Sequence, residues 1–292
     1  MKISILTPDS KKPNLAAMKI SAWHKQQKQK VELNFPLNKA DFTYASVLFS
    51  WTPDPYADLI GGSKYPHIKL DLEIDNMKPD YSLYPDIDYS IGYTYKACPR
   101  TCEFCVVPKQ NNDNKHYSIW TFHNPKFQKI CLLNNNILAD PYWRDTFKEI
   151  MEENLIYIDV SGIDLRFLTE ESAIYILRIK IQGMLHSAWD FMEHEQEILR
   201  GINYLKEARF PLYKLMTYVL IGFNTTHEED LYRVNKLHSL GVKPFVMPLN
   251  KYDNYQKRFA RWVNHKAIFN SVKWKDYGIK AAKREEGVFN YD

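Results

Sequence analysis

Between residues 88 and 250 short apolar strands alternate with amphipathic helices, and this alternation limits the fold more than any other feature of the 292-residue chain. Strands are expected at 89–95, 129–133, 156–160, 179–185, 215–221 and 244–248, with helices in the gaps. Asp140 is expected to cap a helix that starts at Pro141 and shows Trp143, Phe147 and Ile150 on one side. A second helix carries Ile198, Leu199, Ile202 and Leu205. Thr225-x-x-Glu228 reads as a capping box opening a third, which Gly241 closes. Strands alternating with helices imply an α/β fold whose parallel sheet is joined by right-handed crossovers. Six such units suit an incomplete barrel, in which chemistry gathers at the carboxyl ends of the strands.

Residues 1–75 read as a separate small α/β unit. Lys2–Leu6 is a strand, Asn14 can cap a helix with Leu15, Met18, Ala22 and Trp23 on one face, and 31–33 and 46–49 are further strands. Gly61-Gly62-Ser63 is a tight turn, and a Pro- and Asp-rich link over 78–86 leads into the alternating region of residues 76–250. Residues 251–292 form a helical basic extension. They hold ten Lys/Arg and five acids, so a net charge of +4 for the whole chain leaves the other residues at −1. Tyr252, Tyr255, Phe259, Trp262, Phe269, Trp274 and Tyr277 lie among those charges. Basic residues interleaved with aromatics can follow a nucleic-acid backbone and stack bases. The same pattern also describes an amphipathic helix docked by its aromatic face.

The run Cys98-Pro-Arg-Thr-Cys102-Glu-Phe-Cys105 is the stretch that names a chemistry. Three thiolates spaced C-x3-C-x2-C can hold three corners of a [4Fe–4S] cube and leave one iron open, whereas electron-transfer clusters usually close all four corners with cysteine. The competing metal is zinc, which wants four ligands and could take His116 or His123 as the fourth. A second C-x2-C knuckle is absent, and Cys131 is the one remaining cysteine, read as a buried strand residue. No apolar signal segment opens the chain and no apolar run approaches the ~18–20 residues needed to span a membrane. The expectation is a soluble, cytoplasmic protein in a reducing compartment, with no membrane partner.

The cysteine spacing, with Phe104 just before the last cysteine, resembles the signature of the radical S-adenosylmethionine (radical SAM) superfamily. The resemblance covers residues 88–250 and implies a partial (β/α)6 TIM-like barrel with two cofactors, a [4Fe–4S] cluster on Cys98, Cys102 and Cys105, and S-adenosyl-L-methionine on the open iron. In that superfamily, reduction cleaves the sulfonium and releases a 5′-deoxyadenosyl radical that abstracts hydrogen from a substrate, with electrons from a donor such as flavodoxin or ferredoxin. The front unit is similar to the Rossmann-like domain of cobalamin-dependent members, but the Asp-x-His-x-x-Gly motif is absent.

Carried onto this chain, the resemblance implies several cofactor contacts besides Phe104. Asn134, Asn135 and Asn136 occupy the place of a Gly-Gly-Glu turn that receives the cofactor's amino group. Arg166 is the candidate for its carboxylate, because a guanidinium fork matches a carboxylate bidentately, with Glu170 or Glu171 as competing ion-pair partners. Ser161 and Asp164 could contact ribose or substrate. Ile221 and Gly222 resemble the stretch that packs on adenine, and Met247 the backbone edge that reads its exocyclic amine. His186, Trp189 and Asp190 are candidate substrate contacts. The substrate is a small molecule or nucleotide, with nucleic acid as a further candidate partner. Two other readings stay open, a cobalamin-dependent methyltransferase and a zinc-dependent nucleic-acid-binding module.

Overall fold

A computed structural model describes residues 1–36, 39–110 and 112–278. Every strand ladder among them is parallel. The chain divides into two compact units, residues 1–161 with 178–182, and residues 162–177 with the chain from 183 onward. No described helix is long and apolar enough to cross a membrane.

The first unit holds two four-stranded sheets. One is formed by β1 (Lys2–Leu6), β2 (Lys30–Leu33), β3 (Phe42–Ser46) and β4 (Leu59–Gly61) in the order β2-β1-β3-β4. The helix α1 (Leu15–Gln26) follows β1, and the Asn14 side chain caps it by accepting from the Ala17 N–H. Its buried residues include Ala17, Met18, Ser21 and His24, a wider arc than the expected stripe of Leu15, Met18, Ala22 and Trp23. The reason is a second cover: α2 (Leu72–Asp75) and the turn at Tyr81–Leu83 also contact α1, and Ser21 donates to Asp80 at 2.6 Å.

The third strand is 42–46 rather than 46–49. Phe42–Ser46 carries the β-branched and aromatic residues, whereas the N–H groups of Leu48 and Phe49 both donate to one Asp9 carboxylate oxygen and are lost to any ladder.

The second sheet of this unit is β5 (Ser90–Gly92), β6 (Lys129–Leu132), β7 (Ile156–Asp159) and β8 (Lys180–Gln182), paired in sequence order. Ile91 and Cys131 of this sheet share one apolar cluster with Ile3, Ile5 and Met18, so the two sheets have a common core. The helix α3 (Trp143–Glu152) buries Trp143, Phe147 and Ile150 as expected. Its cap is shifted: Tyr142 holds the N-cap position, and Asp140, two residues earlier, accepts from the Tyr142 N–H.

After α4 (Glu170–Arg178), the expected strand 179–185 proves to be two. β8 ends at Gln182, Gly183 turns with φ +81°, and β9 (Leu185–Ala188) pairs with β10 (Leu215–Ile221) instead. The second unit's sheet runs β11-β10-β9, closed by β11 (Lys243–Pro248). Between these strands lie α5 (Glu195–Glu207) and α6 (His227–Ser239). The capping box of α6 is Thr226 with Glu229, one residue later than expected, because the Thr225 hydroxyl is taken by Asp230.

The last described α-helices are α7 (Asn254–Asn264) and α8 (Lys266–Ser271). Phe259 and Trp262 of α7 are buried, and Trp274 meets Phe259 edge-on with ring centroids 5.0 Å apart. Phe259, Trp262 and Trp274 of the basic extension are therefore docked in the fold, whereas Tyr252 is exposed. Lys280, Lys283, Arg284, Glu285, Glu286 and Asp292 of that extension lie outside the described residues.

Candidate metal centre and cofactor-binding residues

In the first unit the chain leaves β5 and runs through Cys98, Cys102 and Cys105 with no helix or strand of its own between 96 and 105. The Cys105 N–H donates to the Cys102 carbonyl at 3.0 Å, which makes a tight turn between the last two cysteines. The Val107 N–H donates to Cys105 Sγ at 3.5 Å, and Asn136 Nδ2 lies 4.0 Å from Cys98 Sγ. All three cysteines are half-buried, and Phe104 beside them is 38% exposed.

Among the described residues no three Cys, His, Asp or Glu side chains are gathered closely enough to hold a metal ion. The donor set nonetheless fits an iron–sulfur cluster: three thiols on one irregular loop, two of them facing N–H donors of the kind that tune cluster sulfurs. Holding a cluster would require the loop to draw the three sulfurs together, and metal binding commonly supplies that ordering energy. The two histidines considered for zinc each have Nδ1 engaged, an arrangement compatible with ligation through Nε2. His116 Nδ1 pairs with buried Asp140 at 2.7 Å, and His123 Nδ1 meets the Ser90 hydroxyl at 2.9 Å. Burial lowers the pKa of His123, which keeps it neutral.

The three asparagines after β6 act on the cysteine segment. Asn134 is buried, accepts from the Thr94 N–H at 2.9 Å and donates to the Thr94 hydroxyl at 2.8 Å. Asn135 donates to the Lys96 carbonyl at 2.5 Å, and Asn136 points its amide at Cys98. Successive asparagines thus meet alternate residues 94, 96 and 98, which pins the strand-like lead into the loop. Asn134 Oδ1 also accepts from the Tyr95 N–H at 3.4 Å, so both of its lone pairs are engaged. Asn136 differs: it is 2% exposed, and its Oδ1 has no hydrogen-bond partner among the described residues. An oxygen in that position is costly unless an N–H reaches it, so Asn136 is the one of the three suited to receive an ammonium. Ser161, after β7, donates to the Leu132 carbonyl at 3.1 Å.

In the second unit Arg166 forms a fork with Asp164, Nε to Oδ1 at 2.7 Å and Nη2 to Oδ2 at 2.8 Å. Asp164 also caps the short turn at 165–167 by accepting from the Arg166 N–H. Asp190 follows β9. Burial raises its carboxyl pKa, with Arg166 and Arg233 acting in the opposite direction. His186 of β9 stacks on Tyr218 of β10, centroids 5.6 Å apart at 8°, and Tyr218 meets Phe245 of β11 edge-on. This aromatic row marks the half-buried face of the sheet, since β10 alternates between buried residues (Leu215, Thr217, Val219, Ile221) and half-buried ones.

Ile221 is accordingly on the opposite, fully buried face, and Gly222 makes a left-handed turn at φ +80° against the Gln256 side chain. Trp189 is wholly buried and donates to the Phe191 carbonyl, so it packs the fold rather than facing a substrate. The Leu249 N–H donates to the Ile221 carbonyl. By alternation the backbone of Met247 also faces β10, while Val246's outward N–H and C=O are both held by Asn264 of α7. The Met247 side chain is 45% exposed.

Sequence reasoning missed Arg233. It is wholly buried, donates to the carbonyls of Trp189, Asp190 and Leu220, and pairs with Asp230 at 2.7 Å. It therefore fastens the carboxyl ends of β9 and β10 to α6. The signal was an Asp and an Arg three apart on the apolar stripe of α6 that also carries Val234 and Leu237.

No protein-family model matches the sequence, and no curated protein matches it.

Proposed function

We propose that the protein is a radical SAM enzyme that holds one [4Fe–4S] cluster through Cys98, Cys102 and Cys105. The observation that carries this reading is the C-x3-C-x2-C loop at the carboxyl end of β5, the first strand of a parallel sheet, with N–H donors at two of its sulfurs. The other candidates also stand at carboxyl ends of parallel strands: Asn134–Asn136 after β6, Ser161 after β7, Asp190 after β9 and Gly222 after β10. The fold that this reading requires is a partial (β/α)6 TIM-like barrel preceded by a Rossmann-like unit. The parallel strand orders within each unit support it.

A cluster with an open iron, together with S-adenosylmethionine, supplies reductive cleavage of the sulfonium and hydrogen abstraction from a substrate. The chain's own residues then bind and orient. The three thiolates hold the cluster, the asparagines fix the approach to Cys98, and Asn136 Oδ1 accepts from the cofactor ammonium. In the second unit Arg166 brings a guanidinium whose Nε–Nη2 edge Asp164 holds, and Asp190 brings a carboxyl whose pKa burial raises. The substrate is a small molecule or nucleotide. A one-electron donor of the flavodoxin or ferredoxin type and a reducing, cytoplasmic compartment belong to the same reading.

The test is anaerobic reconstitution with iron and sulfide, reduction with dithionite, and assay of 5′-deoxyadenosine and methionine after addition of S-adenosylmethionine. Equimolar release of both is expected, lost in each of Cys98→Ala, Cys102→Ala and Cys105→Ala. Protein that takes up zinc and never assembles iron and sulfide would sink the reading.

A further inference from the structure

A cavity of about 530 Å3 opens in the first unit at the carboxyl edge of the sheet β2-β1-β3-β4. Its wall is made by the loop after β1 with the first turn of α1, by Ser46 at the end of β3, and by Gly61–Ser63 at the end of β4. In this strand order the chain leaves β1 toward β2 on one side and returns to β3 on the other. The crevice at such a reversal is where open parallel sheets bind their ligands.

Its lining has two characters. Ile20, Ile91 and Leu133 form an apolar floor flanked by Tyr44 and Tyr93, which suits a ring or other apolar body. Around that floor stand Lys12, Lys19, Lys69 and Lys96 with the single carboxylate of Asp75. Lys19 and Lys96 both pair with Asp75, at 2.7 and 2.6 Å. Each ammonium carries three N–H groups, so donors remain for a further anion beyond the shared carboxylate. Lys12 is exposed and makes no ion pair among the described residues.

We propose that this cavity binds a small organic phosphate of mononucleotide size, its ring on the Ile20–Ile91–Leu133 floor and its phosphate among the lysines. The excess of cations over the one carboxylate favours a dianion. The volume falls within the range of small-molecule pockets. Asn135 and Lys96 both line the cavity, Asn135 donates to the Lys96 carbonyl, and Lys96 precedes Cys98 by two residues. A ligand reaching Lys96 therefore bears on the segment that leads into the cysteine loop. The inference does not rest on the radical reading, because binding here requires no cluster.

Calorimetric titration of the full-length, anaerobically purified protein with AMP, UMP, adenosine and inorganic phosphate tests it. Saturable binding of AMP or UMP is expected, with adenosine and phosphate each about tenfold weaker or more. Lys12→Glu, which reverses an exposed charge, and Ala16→Phe, which fills the cavity wall, are each expected to weaken mononucleotide binding about tenfold or more with an unchanged circular dichroism spectrum. Absence of saturable binding at millimolar mononucleotide would overturn the proposal. So would undiminished binding in both variants, since the nucleotide would then sit elsewhere. Phosphate binding as tightly as AMP would remove the ring-bearing class, and adenosine binding as tightly would remove the phosphate.

Discussion

Asp190 and Cys131 show how burial sets the chemistry of single residues. Burial raises the Asp190 pKa above its ordinary 3.8, despite the opposing pull of Arg166 and Arg233. A raised pKa contributes stability below the ordinary value, and that contribution is lost as pH rises through the folded-state value. Asp190→Asn is therefore expected to stabilise the protein at neutral pH, the gain shrinking as pH falls toward 3.8. Urea denaturation across pH checks this, and a wild-type advantage at neutral pH would contradict it. A stabilised but less active variant would place Asp190 among residues kept for function. Cys131 is pushed up to about 12 by burial, with Asp159 adding to the shift. In folded protein at a pH near about 8, iodoacetamide is expected to label the three half-buried loop cysteines and spare Cys131, read by peptide mass spectrometry. The stabilising effect of the protonated thiol is present below pH 9.0 and lost as pH rises toward about 12. That Cys131 is a buried strand cysteine was legible from its apolar flanks. That Trp189 is buried while neighbouring His186 lies in a half-exposed aromatic row was not, because the two differ only in which side of β9 and its following turn they occupy.

Among elements, helix and strand periods located most of the secondary structure, and three of the misses share one cause. The 46–49 strand, the Thr225 cap and the Asp140 cap each failed where a nearby polar side chain redirected local hydrogen bonding. Close approach of elements was equally hidden. Gly201 of α5 faces the turn at 165–167, and a Cβ there would stand 2.4 Å from the Leu165 carbonyl oxygen and 3.1 Å from its carbonyl carbon. These are backbone atoms that cannot swing aside. Gly201→Ala is expected to cost about 1–3 kcal/mol through overpacking, although alanine favours a helix intrinsically. Thermal or chemical denaturation measures the change, and a stabilised variant would show that α5 yields freely. That turn carries the Asp164–Arg166 pair, so under the proposed radical SAM function weaker binding of S-adenosylmethionine is expected alongside.

For the molecule as a whole, the carboxy-terminal aromatics decide between docking and nucleic-acid stacking. Phe259 is wholly buried, so Phe259→Ala is expected to destabilise the protein by about 3–5 kcal/mol. Charge reversal at exposed Lys257 and Arg261 is expected to change stability by less than about 0.5 kcal/mol. Parallel denaturation curves separate the two, and a nucleic-acid shift assay on the charge variants tests whether the basic face has a partner. Comparable destabilisation by all three would contradict the docked arrangement. What the sequence determined by itself was whatever depends on local order: strand and helix periods, the parallel α/β class they imply, and the cysteine spacing that defines a donor set. The tertiary structure decided which polar groups remain available. It matched three asparagines to residues 94, 96 and 98, paired Arg166 with Asp164, and buried Arg233 against three carbonyls. It also opened a lysine-rimmed cavity at a reversal of strand order. Hydrogen bonds and cavities join residues distant in sequence, and no periodicity along the chain encodes those distances.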